Sequence, residues 1–379
     1  MKIVVAPDSF KESLSALAVA NHIRAGILQA LPQAQVITLP AADGGEGTVQ
    51  TLLDALGGEY RYVEVQNPIG QPIQAHFALL GDGDTAVIEM AEASGLHLLD
   101  PAQRDPRYTS TFGTGQLIRA ALDCGVSRLL LGLGGSATND GGVGMMQALG
   151  AQFTDRNHQP LAAGGAALAE LAHIDLSQLD PRLAQIELQV ACDVSNPLCG
   201  PQGASAVFGP QKGATTEMVT QLDSALQHYA NIIEQQFAIA VANCAGAGAA
   251  GGMGAATLAF MSAQLRPGIE LVLDAIKLDA HLAQADLLIT GEGCLDGQSA
   301  HGKTPVGVAK RGQQAGVPVI AIAGSLGADA EQLHQHGIDA MFACVPAPMS
   351  FAQLKPQAGP LLQQTSRNVL ALWALRPQN

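Results

Sequence analysis

The sequence has 379 residues, 47% of them hydrophobic but only 4% aromatic, and carries a formal net charge of −14 from 19 basic and 33 acidic side chains. That length suits two domains or one large domain with an insertion, with a core built from Ala, Val, Ile and Leu. The acidic balance repels polyphosphate backbones and argues against nucleic acid as a partner, so a nucleotide site here must bring its own cations: lysines, backbone N–H groups or Mg²⁺. The six cysteines form no C-x-x-C pair and no zinc-ligand spacing, which fits a reducing compartment. The opening apolar run is too short for a signal peptide and no stretch reads as a membrane span, so a cytoplasmic chain with no membrane partner is expected.

In chain order, residues 2–6 form a short Ile/Val run suited to a buried parallel strand, and a polar turn at 7–13 leads into a helix that Ser13 or Ser15 can cap and Pro32 ends. A second strand at 35–39 and a helix through about 56 complete a β-α-β-α rhythm. The rhythm returns late: strand 286–290, helix 305–315, strand 317–323, helix 328–335, strand 341–345 and a last helix over 351–375. The middle differs. Residues 60–90 alternate as antiparallel strands do, followed by strands at 129–132 and 186–193 and a helix at 142–150. The reading is an α/β protein: a Rossmann-like parallel-sheet domain formed by both chain ends (1–65 plus 285–379), an inserted mixed α/β domain (66–284), and an active-site cleft between them.

Several loops carry chemistry. GLGGSATNDGG at 132–142 connects a buried strand to a helix, and its Gly134, Gly135 and Ser136 are candidate phosphate contacts. A capped turn would explain the polar residues but not so many glycines. GQSAHGKT at 297–304 satisfies the P-loop pattern, yet GEGCLD separates it from its strand, so it reads as a glycine loop placing Lys303 at a helix start. GAGAAG at 246–251 matches a dinucleotide fingerprint without the preceding strand or the ribose carboxylate, and reads as a glycine-lined packing surface or substrate loop. Short acidic loops follow predicted strands: Asp8, Asp43 with Glu46, Asp193, and Glu292 with Asp296. A lone Asp there is as easily an Asx-turn or helix cap; their joint position at strand ends points to Mg²⁺ or general-base work. Among the few cations, Lys11, Lys212 and Arg104 stand in loops, and His301 beside Lys303 reads as a site wall.

Together these segments resemble the bacterial type I glycerate kinases over nearly the whole chain: APDSFKESLSA, ADGGEGT, the EMAxASGL stretch at 89–96, GLGGSATNDGG, CDVSNPL, FGPQKGA, GAGAAGGMGAA, TGEG with DxQSxHGK, and IAGS with HQHGIDA. The resemblance implies Mg²⁺ and ATP as cofactors, D-glycerate as substrate, a two-domain α/β architecture, and phosphorylation of the 2-hydroxyl. Two positions depart from the family pattern: Cys294 stands where G-E-G-R usually has arginine, and Gly297 where Ser is common. ATP is then expected across Gly134, Gly135 and Ser136 and across Gly291, Gly293 and Lys303. Asp296 and Asp43 would hold Mg²⁺, Asp193 would orient or deprotonate the acceptor hydroxyl, and Lys11 would hold the glycerate carboxylate or the phosphoryl group. A glycerate 3-kinase, a non-catalytic glycerate or nucleotide sensor, and an NAD(P)-linked reductase are the rival readings, and a homodimer is left open.

Overall fold

The computed structural model describes residues 1–45, 47–300 and 302–375; Glu46 and His301 therefore lie outside the described residues. By packing, the chain divides into two compact units.

The first unit comprises 1–43, 50–57 and 269–379. Its core is a five-stranded parallel sheet in the order Ala340–Ala343, Val319–Ala323, Leu287–Thr290, Lys2–Val5, Gln35–Thr38. Ile3, Val4, Val5, Leu287, Leu288 and Ile289 are wholly buried, as strands covered on both faces require. From Lys2–Val5 the chain winds outward to one edge, and from Leu287–Thr290 to the other. The winding reverses between these two central strands, and in such sheets ligands bind outside the carboxyl ends of the strands at the reversal.

Helix Ala16–Ala30 follows the first strand, its start capped by the Ser15 hydroxyl, which accepts the Ala18 N–H at 3.2 Å. It packs on the final helix, Ala358–Ala374. The expected single helix over 351–375 is instead a short helical turn at Phe351–Leu354, a 3₁₀ turn at Lys355–Gln357 and then the final helix. Pro356, which lacks an N–H, falls at that break. The expected helix at 328–335 is a 3₁₀ segment, Ala330–His336.

The second unit, 44–49 with 58–268, is built on a six-stranded mixed sheet. Gln264–Arg266, Glu187–Ala191, Arg128–Gly132 and Thr85–Glu89 run parallel, and Pro72–Leu80 and Gly58–Gln66 add an antiparallel hairpin at the edge. Two local forces set its extent. Gly58–Gln66 pairs along its full length with Pro72–Leu80, so residues 58–65 belong here and not with the first strands. Helices Gly268–Ala275 and Leu278–Leu282 carry Glu270, Asp274 and Asp279, all ion-paired to Arg311 of the first unit's helix Thr304–Gln314, which keeps 269–284 with the chain's C-terminal part.

The crossing of helices Ala16–Ala30 and Ala358–Ala374 is tight at Gly26, where an added Cβ would stand 2.3 Å from the Gln363 carbonyl oxygen. Backbone cannot give way as a side-chain tip does. Alanine at an open helix position would gain up to about 1 kcal/mol over glycine; here G26A is expected to destabilise the first unit by about 1–3 kcal/mol, read as a lowered calorimetric transition temperature of that unit.

Candidate active site

In the first unit, a cavity of about 350 Å³ opens at the carboxyl ends of the two central strands. It is lined by loops that leave those strands: Asp8 to Lys11 after the first, Glu292, Cys294 and Asp296 after Leu287–Thr290, with Asp43 and Lys303 completing the charged wall. The strand pairing continues into the loops, with the Ala6 N–H on the Ile289 carbonyl and the Asp8 N–H on the Gly291 carbonyl, each at 2.8 Å. Both loops therefore start in fixed register. Gly291 is required there for packing, since a Cβ would meet the Ile322 carbonyl at 2.0 Å.

Asp8 is held by two bonds. Its Oδ1 accepts the Ser9 N–H at 2.6 Å, and its Oδ2 accepts the Thr304 hydroxyl at 2.6 Å. Thr304 opens helix Thr304–Gln314, for which Lys303 is the N-cap residue. Lys11 projects from a tight turn closed by the mutual backbone bonds of Phe10 and Leu14, with Phe10 buried as its anchor. Glu292 accepts the Ser299 hydroxyl at 2.5 Å and lies 3.7 Å from the Lys303 ammonium. Asp296 Oδ1 accepts the Gln298 and Ser299 N–H groups at 2.9 and 3.2 Å, shaping the turn that follows it.

Burial pushes Asp8 above the ordinary carboxylate range, and the charge of Asp43 adds to this against the Thr304 and Ser9 bonds. Glu292 is raised likewise, by burial first and by Asp8 and Asp296, despite Ser299 and Lys303. Four carboxylates crowd one small space, and two resist ionising partly because of the others. A divalent cation relieves that setting, and Mg²⁺ asks of a protein only one or two carboxylates beside phosphate oxygens and water. Among the described residues no group of three or more His, Cys, Asp or Glu forms a self-sufficient metal cluster.

Of the residues expected from the sequence, Lys11, Asp43, Gly293, Asp296 and Lys303 line this cavity, with Gly291 behind it in the sheet. Asp8 and Glu292 are more central than the sequence suggested, because nothing in it shows which acidic loops are buried. The 297–304 stretch does not spring from a strand end: the strand Cys294–Leu295, paired with Ser325–Leu326, intervenes. A larger cavity of about 700 Å³, lined by Ile320, Phe342 and Trp373 among others, lacks convergent free charge. Its Asp339 accepts the Val319 N–H and its His334 bonds the Ile338 carbonyl.

Gly134, Gly135, Ser136 and Asp193 lie in the second unit, after adjacent parallel strands whose ends pair Gly132 with Ala191. The 89–96 stretch laces the glycine loop in place: Met90 N–H to Gly132, Leu96 N–H to Gly135, and Ala137 N–H to Ser94. Gly135 is left-handed at φ 69°, and the N–H groups of Gly134, Gly135 and Ser136 donate to no acceptor among the described residues. Successive outward N–H groups in such a turn make an anion-binding nest. Asp193 Oδ1 accepts the Gly268 N–H at 2.9 Å. GAGAAG at 246–251 serves packing: Gly251, at φ 68°, leaves no room beside the Thr138 carbonyl, where a Cβ would come within 2.0 Å.

The glycerate kinase family model matches residues 3–374. The chain belongs to the glycerate kinase family. Relatives within the family include a glycerate kinase of Halalkalibacterium halodurans, 54% identical over 97% of each chain, and a glycerate 2-kinase of Escherichia coli K12, 48% identical over the full length of both. A crystal structure from Salmonella typhimurium LT2, assigned as a glycerate kinase 2, superposes with a TM-score of 0.92 at 52% identity and covers all of both chains.

The raised carboxyls give a signed prediction. A carboxyl whose folded pKa lies above its unfolded value costs stability once pH exceeds the folded pKa, and nothing below the unfolded value of 3.8 for Asp8. In metal-free protein, D8N is expected to raise the first unit's transition temperature at pH 8. The gain should shrink as pH falls toward 4, as followed by calorimetry across that range.

Proposed function

We propose that this chain is an ATP-dependent kinase that transfers the γ-phosphoryl group to the 2-hydroxyl of D-glycerate, giving 2-phosphoglycerate and ADP. The observation that carries the reading is the charged cavity at the winding reversal of the first sheet, where two lysines face four carboxylates. Family membership supports the phosphotransfer, and the full-length likeness to a glycerate 2-kinase supports the 2-position.

Phosphoryl transfer asks a protein mainly for positioning and for neutralising charge on the transferring oxygens. Lys303, at the start of an 11-residue helix, is suited to a phosphate oxygen by its own charge and by the helix end behind it. Lys11 suits the glycerate carboxylate or the transferring phosphoryl, and these two lysines offset the arginine that Cys294 replaces. Asp43 and Asp296 would hold Mg²⁺, which when bound supplies charge neutralisation on the triphosphate. Gly134, Gly135 and Ser136 offer N–H groups to phosphate oxygens, and Gly293, opposite the Phe10–Lys11 backbone, keeps that wall of the pocket free of a side chain. Asp193 accepts the proton of the acceptor hydroxyl as its oxygen bonds to phosphorus and the bond from phosphorus to the bridging oxygen of ADP breaks. A cytoplasmic setting accords with the absence of any helix among the described residues long and apolar enough to cross a membrane.

Incubation with D-glycerate, ATP and Mg²⁺ followed by ³¹P NMR should show a phosphomonoester resonance of 2-phosphoglycerate. A 3-phosphoglycerate signal would move the acceptor position, and unchanged ATP would favour a binding protein without turnover. K303M and D193N are each expected to lower kcat/KM at least about 100-fold, or roughly 2.7 kcal/mol of transition-state stabilisation, and wild-type turnover in either variant would remove that residue from the mechanism. Cys294 is exposed at the cavity wall. Its alkylation by a maleimide, mapped by peptide mass spectrometry against exposed Cys124 as control, should slow when MgATP and glycerate are added together.

A further inference from the structure

Lys212 is among the largest wholly buried side chains, with 1% of its surface exposed. Burying an ammonium group is costly unless it is partnered. Its partner is a main-chain atom: Nζ donates to the Thr138 carbonyl at 2.6 Å, in the middle of the 132–142 loop. The segment that delivers Lys212 reaches the loop a second time, through the Ser205 hydroxyl, which accepts from Asn139 Nδ2 at 2.9 Å. It then turns sharply at Gly213, left-handed at φ 94°, where a Cβ would meet the Arg104 carbonyl at 2.4 Å. Beside Thr138, Asp140 is buried and accepts the Thr111, Gly142 and Gly144 N–H groups and the Thr111 hydroxyl, locking the far half of the loop. Thr138 Oγ1, Asn139 Oδ1 and the Tyr229 hydroxyl, all buried here, have no hydrogen-bond partner among the described residues. A turn that served packing alone would not retain so much unsatisfied polarity under it.

We infer that Lys212 is a positioning residue for nucleotide binding: from the core of the second unit it pins the Thr138 carbonyl, and so holds the Gly134–Ser136 N–H groups in the orientation that receives phosphate oxygens. The inference rests on the reading that this loop binds ATP. Lys212 itself does not touch the ligand. It acts through two residues of backbone, and the bond from Ala137 N–H to the Ser94 carbonyl at 2.9 Å fixes the segment between. The charge state of the lysine matters to that bond. Burial lowers Lys212 to about 7, offset only in part by Asp140, the charged group acting on it; Tyr229, raised by burial and by Asp140, stays neutral over this range. As pH rises through 7 the ammonium loses its proton, the bond to Thr138 weakens, and ATP affinity falls.

The test compares K212M and K212Q with wild type in the full-length protein, with saturating Mg²⁺. K212M should raise KM for ATP about tenfold, leave KM for glycerate within twofold and alter kcat little. K212Q, whose amide can still donate to the Thr138 carbonyl, should recover part of the loss. Hydrogen exchange over 133–138 should quicken in K212M without a fall in overall helix content. A folded K212M with wild-type KM for ATP overturns the inference, as does an equal loss in both KM values. If neither variant folds, the wild-type KM for ATP must rise between pH 6 and 9 with a midpoint near 7, and a flat profile overturns the inference. G135A, which forces a side chain onto the left-handed φ of 69°, separates the two layers: if it leaves ATP affinity unchanged, the loop reading fails; if it weakens affinity while K212M does not, only the role of Lys212 fails.

Discussion

The parallel pairing of Lys2–Val5 with Leu287–Thr290 is the constraint on which the first unit and its cavity depend. It joins segments more than 280 residues apart through main-chain bonds, reinforced where the Thr290 hydroxyl donates to the Ala6 carbonyl and the Lys2 N–H to Asp286. Each fully buried Ile, Val or Leu in the two strands contributes about 1.5–3 kcal/mol. That apolar burial is what makes the cavity above it tolerable. Asp8, Glu292, Asp43 and Asp296 repel one another, and the sheet below holds their loops in register regardless. Stability made in the strands is spent on charge in the loops.

The second unit solves the opposite problem. Its glycine loop is not anchored by a rigid strand pair alone but sewn in from three sides: by 90–96, by Ser205 and Lys212, and by Gly251 and Gly252. The main chain approaches so closely there that side chains are excluded, and the clustered glycines follow from that geometry. Only Gly134 and Gly135 of the loop face outward, with a Cβ at Gly134 meeting nothing within 4 Å.

The β-α-β-α rhythm at both chain ends, and hence the parallel sheet, was legible because central strands read as unbroken apolar runs. The charged members of the cavity were legible as residues in loops after strands, though not as neighbours, since neighbourhood depends on the order in which strands lie in the sheet. Strand order carries no local signal. Lys212 stood out as a lysine in a tight turn, but burial of a charged side chain is invisible until its carbonyl partner, 74 residues away, is known. Gly58–Gln66 alternates so evenly that its pairing with Pro72–Leu80 is legible, while the unit that owns the hairpin is not. The P-loop letters at 297–304 already stood too far from their strand to be a P-loop, and the intervening pair of short strands shows the path the chain takes there.

The same long-range strand pairing has a bearing on how the chain is made. Residues 3–5 can pair early with 36–38 on one side, but the partners on their other side, 287–289, emerge only after roughly 15–60 s at ordinary elongation rates. Every strand of the second unit is complete before then. Biosynthesis therefore favours an order in which the internal unit folds first while the apolar strand Lys2–Val5 keeps one edge open and in need of shielding. The open edge of Lys2–Val5, apolar and waiting for a partner more than 280 residues later, is thus a surface of this chain with a claim on a chaperone.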